Sequence, residues 1–215
     1  MELFVIGNQN SIANHYLKGL RDKSLQQDRL KFRKNLERLG EILAFEISKK
    51  LEYEKDEIET PLGKSITHIL KRQPILVTIL RAGLPYFSGF QNFFDEANCG
   101  FIGAYRQEND NGIKIKLDYL ATPSVEKADV ILIDPMLATG RSIVDAVREL
   151  LKRGKPNHLH LAALVAAPEG IQYLKEMIDI PFTIWTFSVD EKLNQQFYIV
   201  PGLGDAGDLS FGEKL

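Results

Sequence analysis

Four short, predominantly apolar runs, rich in β-branched side chains, constrain this chain most: Ile75–Leu80, Val130–Ile133, Leu159–Ala166 and Phe182–Phe187. A strand with apolar residues on both of its faces has none to give to water, so it belongs in a sheet covered on both sides. Helix-patterned stretches lie between most of the runs, at Pro85–Ala97, Ser142–Arg153 and Glu169–Ile178. That alternation predicts an α/β fold with a mostly parallel central sheet flanked by helices.

Ahead of this core, residues from about Ser11 to Leu51 are helical in pattern, with Leu36, Leu39, Leu43 and Ile47 at spacings of three and four. Ser24 is placed to cap the second helix. Thr60, then Pro61, then an apolar-periodic stretch to Leu70 predicts another helix with proline at its first position. N-terminal helices are thus expected over about 11–72. One later segment breaks the alternation. Phe101–Arg106 and Ile113–Leu120 alternate like strands around the turn Asp110-Asn111-Gly112, which predicts a projecting β-hairpin arm over about 101–120. Glu108 and Asp110 then read as solvated turn residues. From Pro201 to Gly212 the tail carries Gly202, Gly204, Gly207 and Gly212, which predicts a loop where backbone comes close to something. With no internal repeat, low-complexity tract or linker, residues 1–215 read as a single domain.

Composition narrows the function classes. A chain of 215 residues with 44% apolar and 26% charged residues can bury a full core. Its net charge of −2, with Lys and Arg interspersed among acids, argues against a nucleic-acid partner. No apolar stretch approaches the roughly 20 residues a membrane helix needs, and Met1 is not followed by a secretory pattern. The single cysteine, Cys99, excludes an intrachain disulfide and a Cys-cluster metal site, and reads as a packing residue. A cytoplasmic protein is expected. His15, His68, His158 and His160 receive no chemical role, the last two reading as structural residues at a strand start.

The chemistry concentrates in Val130-Ile131-Leu132-Ile133-Asp134-Pro135-Met136-Leu137-Ala138-Thr139-Gly140-Arg141-Ser142. A buried strand ends at an acid, a loop turns, and a helix begins, with Ser142 and Asp145 at capping-box spacing. Unpaired amides and the positive end of a helix dipole at one point suit a monophosphate. Thr139 and Ser142 can add hydroxyl donors, Gly140 permits close approach, and Asp134 can accept from sugar hydroxyls at the strand's carboxyl end. A plain βα turn with a good cap and nothing bound fits the same spacing. The loop lacks the Gly-Lys-Ser/Thr ending of a Walker motif and is no dinucleotide fingerprint.

Asp134 to Ser142 resembles the ribose-phosphate loop of the type I phosphoribosyltransferases, and its Asp-Pro-Met-Leu-Ala-Thr-Gly wording is similar to the uracil phosphoribosyltransferase branch. Ile79-Leu80-Arg81-Ala82-Gly83-Leu84 resembles the family's pyrophosphate loop. Tyr198-Ile199-Val200-Pro201-Gly202-Leu203-Gly204-Asp205-Ala206-Gly207-Asp208 is similar to its uracil-binding segment, here about 198–212. Glu59-Thr60-Pro61-Leu62-Gly63 and Gly103-Ala104-Tyr105-Arg106 match in the same order.

The resemblance implies a type I phosphoribosyltransferase-like fold and transfer of the phosphoribosyl group of phosphoribosyl pyrophosphate (PRPP) to uracil, giving UMP and pyrophosphate. It places PRPP against Arg81, Arg106, Asp134, Pro135, Met136, Leu137, Ala138, Thr139, Gly140, Arg141, Ser142 and Asp205, and uracil against Ile199, Gly204, Asp205 and Ala206. Asp134, Asp205 and Arg106 are the implied catalytic residues. A magnesium ion (Mg2+), bound mainly through PRPP with no dedicated protein metal site, is implied as cofactor, with Asp205 touching the donor or the ion through water. The resemblance also implies a homodimer or higher homo-oligomer clasped by the arm, and admits a GTP effector.

Four positions depart from the family's pattern: Arg141 and Pro85 replace glycines, Gln107 an acid and Leu209 a basic residue. Arg141 can crowd the phosphate or point outward. An impaired or regulatory phosphoribosyltransferase-fold protein, another base as substrate, and an RNA-binding regulator are the competing readings.

Overall fold

The computed structural model describes residues 1–109 and 112–213, with side chains outside 104–118. Strand β1 (Glu2–Val5) precedes a short 3-10 turn, helix α1 (Ala13–Arg21) and helix α2 (Arg29–Ser48). A separate hairpin, β2 (Tyr53–Thr60) and β3 (Gly63–Leu70), leads into β4 (Ile75–Leu80) and α3 (Gly83–Gln91). The arm strands β5 (Cys99–Asn109) and β6 (Gly112–Ala121) follow, then β7 (Asp129–Ile133), β8 (Met136–Leu137) and α4 (Arg141–Leu151). Next come β9 (His158–Ala162), β10 (Val165–Ala166), α5 (Pro168–Met177), β11 (Phe182–Thr186) and β12 (Ser188–Val189). The chain closes through β13 (Lys192–Leu193), β14 (Ile199–Val200) and α6 (Ala206–Phe211).

The main sheet is 7-stranded, in the order β1-β11-β9-β7-β4-β5-β6. All pairings are parallel except β5 with β6. The strand runs are apolar on both faces because both faces are covered. Val130 and Leu132 of β7 join Ile75, Val77, Leu159, Leu161 and Ile184 on the face packed by α4 and α5. Ile131 and Ile133 join Leu76, Ala162 and Trp185 on the face packed by α1, α2 and α3. Helix α3 lies close on α2 because Gly40 and Gly89 meet backbone there, with no room for a Cβ at either.

Three readings from sequence are corrected. Thr60–Leu70 is part of a β-hairpin with Tyr53↔Leu70 and Thr60↔Gly63 in register, and Thr60 Oγ1 donates to the Gly63 carbonyl at 2.7 Å to close its turn. The residues Ile66, Ile69 and Leu70 have helical spacing but belong to a strand. Ser24 caps nothing helical: it donates to Asp22, while Asp28 caps α2 by accepting from the Lys31 amide at 3.0 Å. Within the tail, residues 206–211 form α6 where a loop was expected.

The arm is as expected in its backbone. β4 pairs with β5 only as far as Leu80↔Gly103; beyond a register shift at Gly103/Ala104 the two arm strands pair with each other alone, out to Asn109↔Gly112. The readings of Glu108 and Asp110 as solvated turn residues lie outside the described side chains.

Candidate active site

From β4 the chain steps to β5 on one side, then returns to build β7, β9 and β11 on the other. The strand order therefore reverses between β4 and β7, and the crevice beyond their carboxyl ends is where open α/β sheets take ligands. The loops that leave those two strands are Arg81-Ala82-Gly83 and Asp134 to Gly140. The first lies against the end of β7, where a Cβ on Gly83 would lie 3.1 Å from the Ile133 carbonyl oxygen.

The second loop has the form expected of an anion cradle, with a different cap. Gly140 is the N-cap of α4, in the left-handed region at φ 76°, and no side chain caps the helix, so the expected Ser142 cap is absent. Only glycine takes that conformation without strain. The amides of Thr139, Gly140 and Ser142 find no acceptor among the described residues, and Arg141 N–H reaches only its neighbour's Thr139 Oγ1 at 3.4 Å. Several amides at a helix N-terminus with nothing to donate to form a site for a phosphate. Leu137 is buried and Pro135 lies beneath the loop, its carbonyl accepting from Leu164 at 2.9 Å, while the Ala138 carbonyl faces Gly170 of α5. Arg141 is exposed at the first position of α4.

Asp134 stands at the entrance. Its Oδ1 accepts from the Met136 amide at 3.3 Å. Burial pushes its carboxyl up to about 6, with the Met136 bond acting weakly the other way. A carboxylate short of partners in a cleft is one that hydroxyl groups of a sugar can satisfy.

The third motif reaches the same place. Arg81 Nη2 donates to Asp208 Oδ1 at 2.9 Å and to the Gly212 carbonyl at 3.4 Å, while its Nε is buried without a partner. Asp205 caps α6, its Oδ1 accepting from Gly207 at 2.8 Å and Asp208 at 3.0 Å, so Oδ2 makes no bond with the described residues. A Cβ on Gly207 would lie 3.8 Å from Arg81 Nη2 and 3.9 Å from the Ala82 Cβ. Ile199 and Ala206 are buried, and Gly204 is exposed. The structure thus brings Arg81, Asp205, Ala206 and Gly207 together, and the Asp134 loop beside them. Arg106 lies on β5 beyond the end of β4, opposite Ile115, and its side chain is outside the described ones.

Sequence reading missed the residues that hold this tail. Arg21 and Asp190 form a bidentate ion pair at 2.8 and 2.9 Å that also grips Gly202. Gln26 Nε2 donates to the Leu203 carbonyl at 2.9 Å, and Arg33 Nη1 to that of Ser210 at 2.8 Å. Asp190 follows the short strand β12, a few residues after the apolar run Phe182–Phe187, and that was the available signal.

His158, His160 and Cys99 are engaged in packing and local hydrogen bonds. Trp185 Nε1 donates to Nδ1 of the buried His160 at 3.2 Å, and burial, then the neighbouring His158, lower that ring to about 3. His158 pairs with Thr183 Oγ1 at 2.8 Å. Cys99 is half-buried against the α2–α3 core, and burial raises its thiol.

An anion cradle, an acid for hydroxyls, an arginine and a polar backbone turn suit a phosphorylated sugar beside a flat polar ring. A family model described as uracil phosphoribosyltransferase matches residues 7–213. A curated uracil phosphoribosyltransferase of Porphyromonas gingivalis is 42% identical over 216 residues, covering 100% of each chain. One of Thermococcus gammatolerans is 38% identical over 199 residues, covering 91% of this chain and 87% of the relative. The solved structure of the AQ2163 protein from Aquifex aeolicus superposes with a TM-score of 0.87 at 32% identity, over 99% of each chain.

Proposed function

The chain belongs to the uracil phosphoribosyltransferase family, and on that premise we propose that it transfers the phosphoribosyl group of PRPP to uracil, giving UMP and pyrophosphate in pyrimidine salvage. One observation carries the reading beyond membership: the cradle before α4, the Arg81 loop and the Asp205 turn converge on the crevice between β4 and β7.

In the reaction the bond from the anomeric carbon to pyrophosphate breaks and a ring nitrogen of uracil, losing its proton, bonds to that carbon. The free amides of Thr139, Gly140 and Ser142 hold the 5′-phosphate. Asp134 accepts from the ribose hydroxyls and so fixes the sugar. Arg81 meets pyrophosphate oxygens with its guanidinium fork, and the family pattern gives Arg106 on the arm the same role. Backbone groups around Gly204 to Ala206 and the Ile199 side chain receive the base, whose alternating donors and acceptors a cytosine edge does not reproduce. The work is positioning and stabilisation of an oxocarbenium-like state, with no nucleophilic side chain. Asp134 and Asp205 offer hard oxygen donors that suit a magnesium ion carried by the donor, and such an ion supplies charge neutralisation for the leaving pyrophosphate.

The backbone of the arm, paired only with itself past Gly103, supports a homo-oligomer in which it clasps a second copy, since an isolated hairpin is marginal in water. Among the described residues no helix is long and apolar enough to cross a membrane, which agrees with a cytoplasmic enzyme.

The test is to incubate the protein with magnesium, PRPP and, separately, uracil, cytosine, orotate and hypoxanthine. UMP from uracil alone is expected. Turnover only with another base overturns the reading of the tail, and none with any base favours an impaired binder. Light scattering after size exclusion should give a mass above 24.4 kDa; a strict monomer at micromolar concentration refutes the clasp. Turnover with and without GTP in that preparation tests the effector.

A further inference from the structure

We infer that Arg21 and Asp190 are positioning residues for the base half of the site, holding the turn that presents uracil; this rests on the function proposed above. Asp190 follows β12, and its side chain is 3% exposed. Arg21 is the last residue of α1. Its Nη1 donates to Oδ2 at 2.9 Å and its Nη2 to Oδ1 at 2.8 Å, the two-pronged form that fixes direction as well as distance.

What the pair does with its remaining valences is specific. Asp190 Oδ2 accepts from the Gly202 amide at 2.8 Å, and Arg21 Nη1 donates to the Gly202 carbonyl at 3.4 Å. One ion pair therefore grips one residue through both of its backbone groups. Gly202 has φ 58°, so the chain reverses there, two residues before Gly204. Ser188 Oγ donates to Asp190 Oδ1 at 2.7 Å, and the Asp190 amide donates to the Ala166 carbonyl at 2.8 Å, tying the carboxylate to the central layer. Burial pushes this carboxyl up, but donation from Arg21, Ser188 and Gly202 outweighs it and holds it below its usual value.

The tail has other anchors. Ile199, Leu203 and Ala206 are buried, and Gln26 and Arg33 hold the carbonyls of Leu203 and Ser210. Weakening the ion pair therefore leaves the segment attached while freeing the orientation of the Gly202 turn. A backbone that reads the base by hydrogen bonds loses affinity when its amides rotate, whereas among the described residues no side-chain hydrogen bond of this pair goes to residues 134–142.

The experiment compares steady-state kinetics of the wild type, Arg21→Lys, Asp190→Asn and the double variant Arg21→Met with Asp190→Leu. The lysine keeps the charge without the fork, and the asparagine keeps the shape without the charge. The apolar double variant guards against simple unfolding, because replacing a buried pair by matched apolar groups is often neutral for stability. The expected result is a KM for uracil raised about tenfold, short of the roughly 100-fold that a full ångström of misplacement can cost. KM for PRPP should stay within about twofold of wild type, and Arg21→Lys should retain more than the double variant. Equal rises in both KM values, or a fall in kcat alone that tracks lost thermal stability, overturn the inference. Absence of UMP in the wild type strikes instead at the functional reading.

Discussion

Asp134→Asn should make this protein more stable and less active. The wild-type carboxyl is raised from 3.8 to about 6 in the folded chain, chiefly by burial. Folding therefore favours its protonated form, and the penalty for ionising it grows as pH rises from 3.8 and is complete above about 6. At about 1.4 kcal/mol per pH unit the gap corresponds to about 3 kcal/mol, an upper figure that water in the open crevice reduces. Asn keeps the shape and can still accept from the Met136 amide. For a chain of this length each kcal/mol is worth roughly 2–4 °C in Tm, so a gain of about 5 °C at pH 7.5 is reasonable. Thermal melts at fixed protein concentration from pH 4.5 to 8 measure it. The gain should shrink as pH falls through 6, while UMP formation drops by at least about tenfold because the ribose loses its carboxylate acceptor. A variant no more stable than wild type at pH 7.5, or one whose gain is the same at pH 4.5, would refute the argument that Asp134 is held in an unsatisfied state.

Gly140→Ala puts a Cβ at a left-handed position, about 1–2 kcal/mol of strain, and 3.0 Å from the Gly170 carbonyl oxygen and 3.3 Å from Leu174 and Tyr173. The loop must move off α5, so KM for PRPP should rise more than KM for uracil in the same kinetic assay. His160→Leu strands the Trp185 indole N–H in the core, which should cost about 1–3 kcal/mol in urea denaturation at pH 7.5. Since folding lowers the His160 ring to about 3, this residue costs the wild type stability as pH falls from 6.5 toward 3, and the Leu variant lacks that contribution. The gap between the two should therefore narrow at pH 5; a constant gap contradicts the neutral, buried ring.

The strands of the main sheet were legible because burial on both faces leaves a predominantly apolar signature, and Asp134 was legible because it ends one of them. The hairpin at β2 and β3 was not. Both its faces are exposed, so nothing enforces strict alternation, and Ile66, Ile69 and Leu70 fell by accident at helical spacing. Its β-branched content, in Ile58, Thr60, Ile66, Thr67 and Ile69, was the better guide. Helix α6 hid behind the glycines around it, though Asp205 with Asp208 three residues on is a legitimate helix start. The Arg21–Asp190 pair was out of reach for a different reason. Two charged residues 169 positions apart carry no local mark of their meeting.

That separation bears on how the molecule acquires its site. The phosphate cradle is local: a strand, a loop and a helix within residues 129–151. The base half depends on contacts that close spans of 169 to 177 residues, from α1 and α2 to the tail. Closing long spans costs more chain entropy and comes later than local structure. The two halves of one crevice are thus expected to mature at different times, the place for the phosphate ahead of the place for the base.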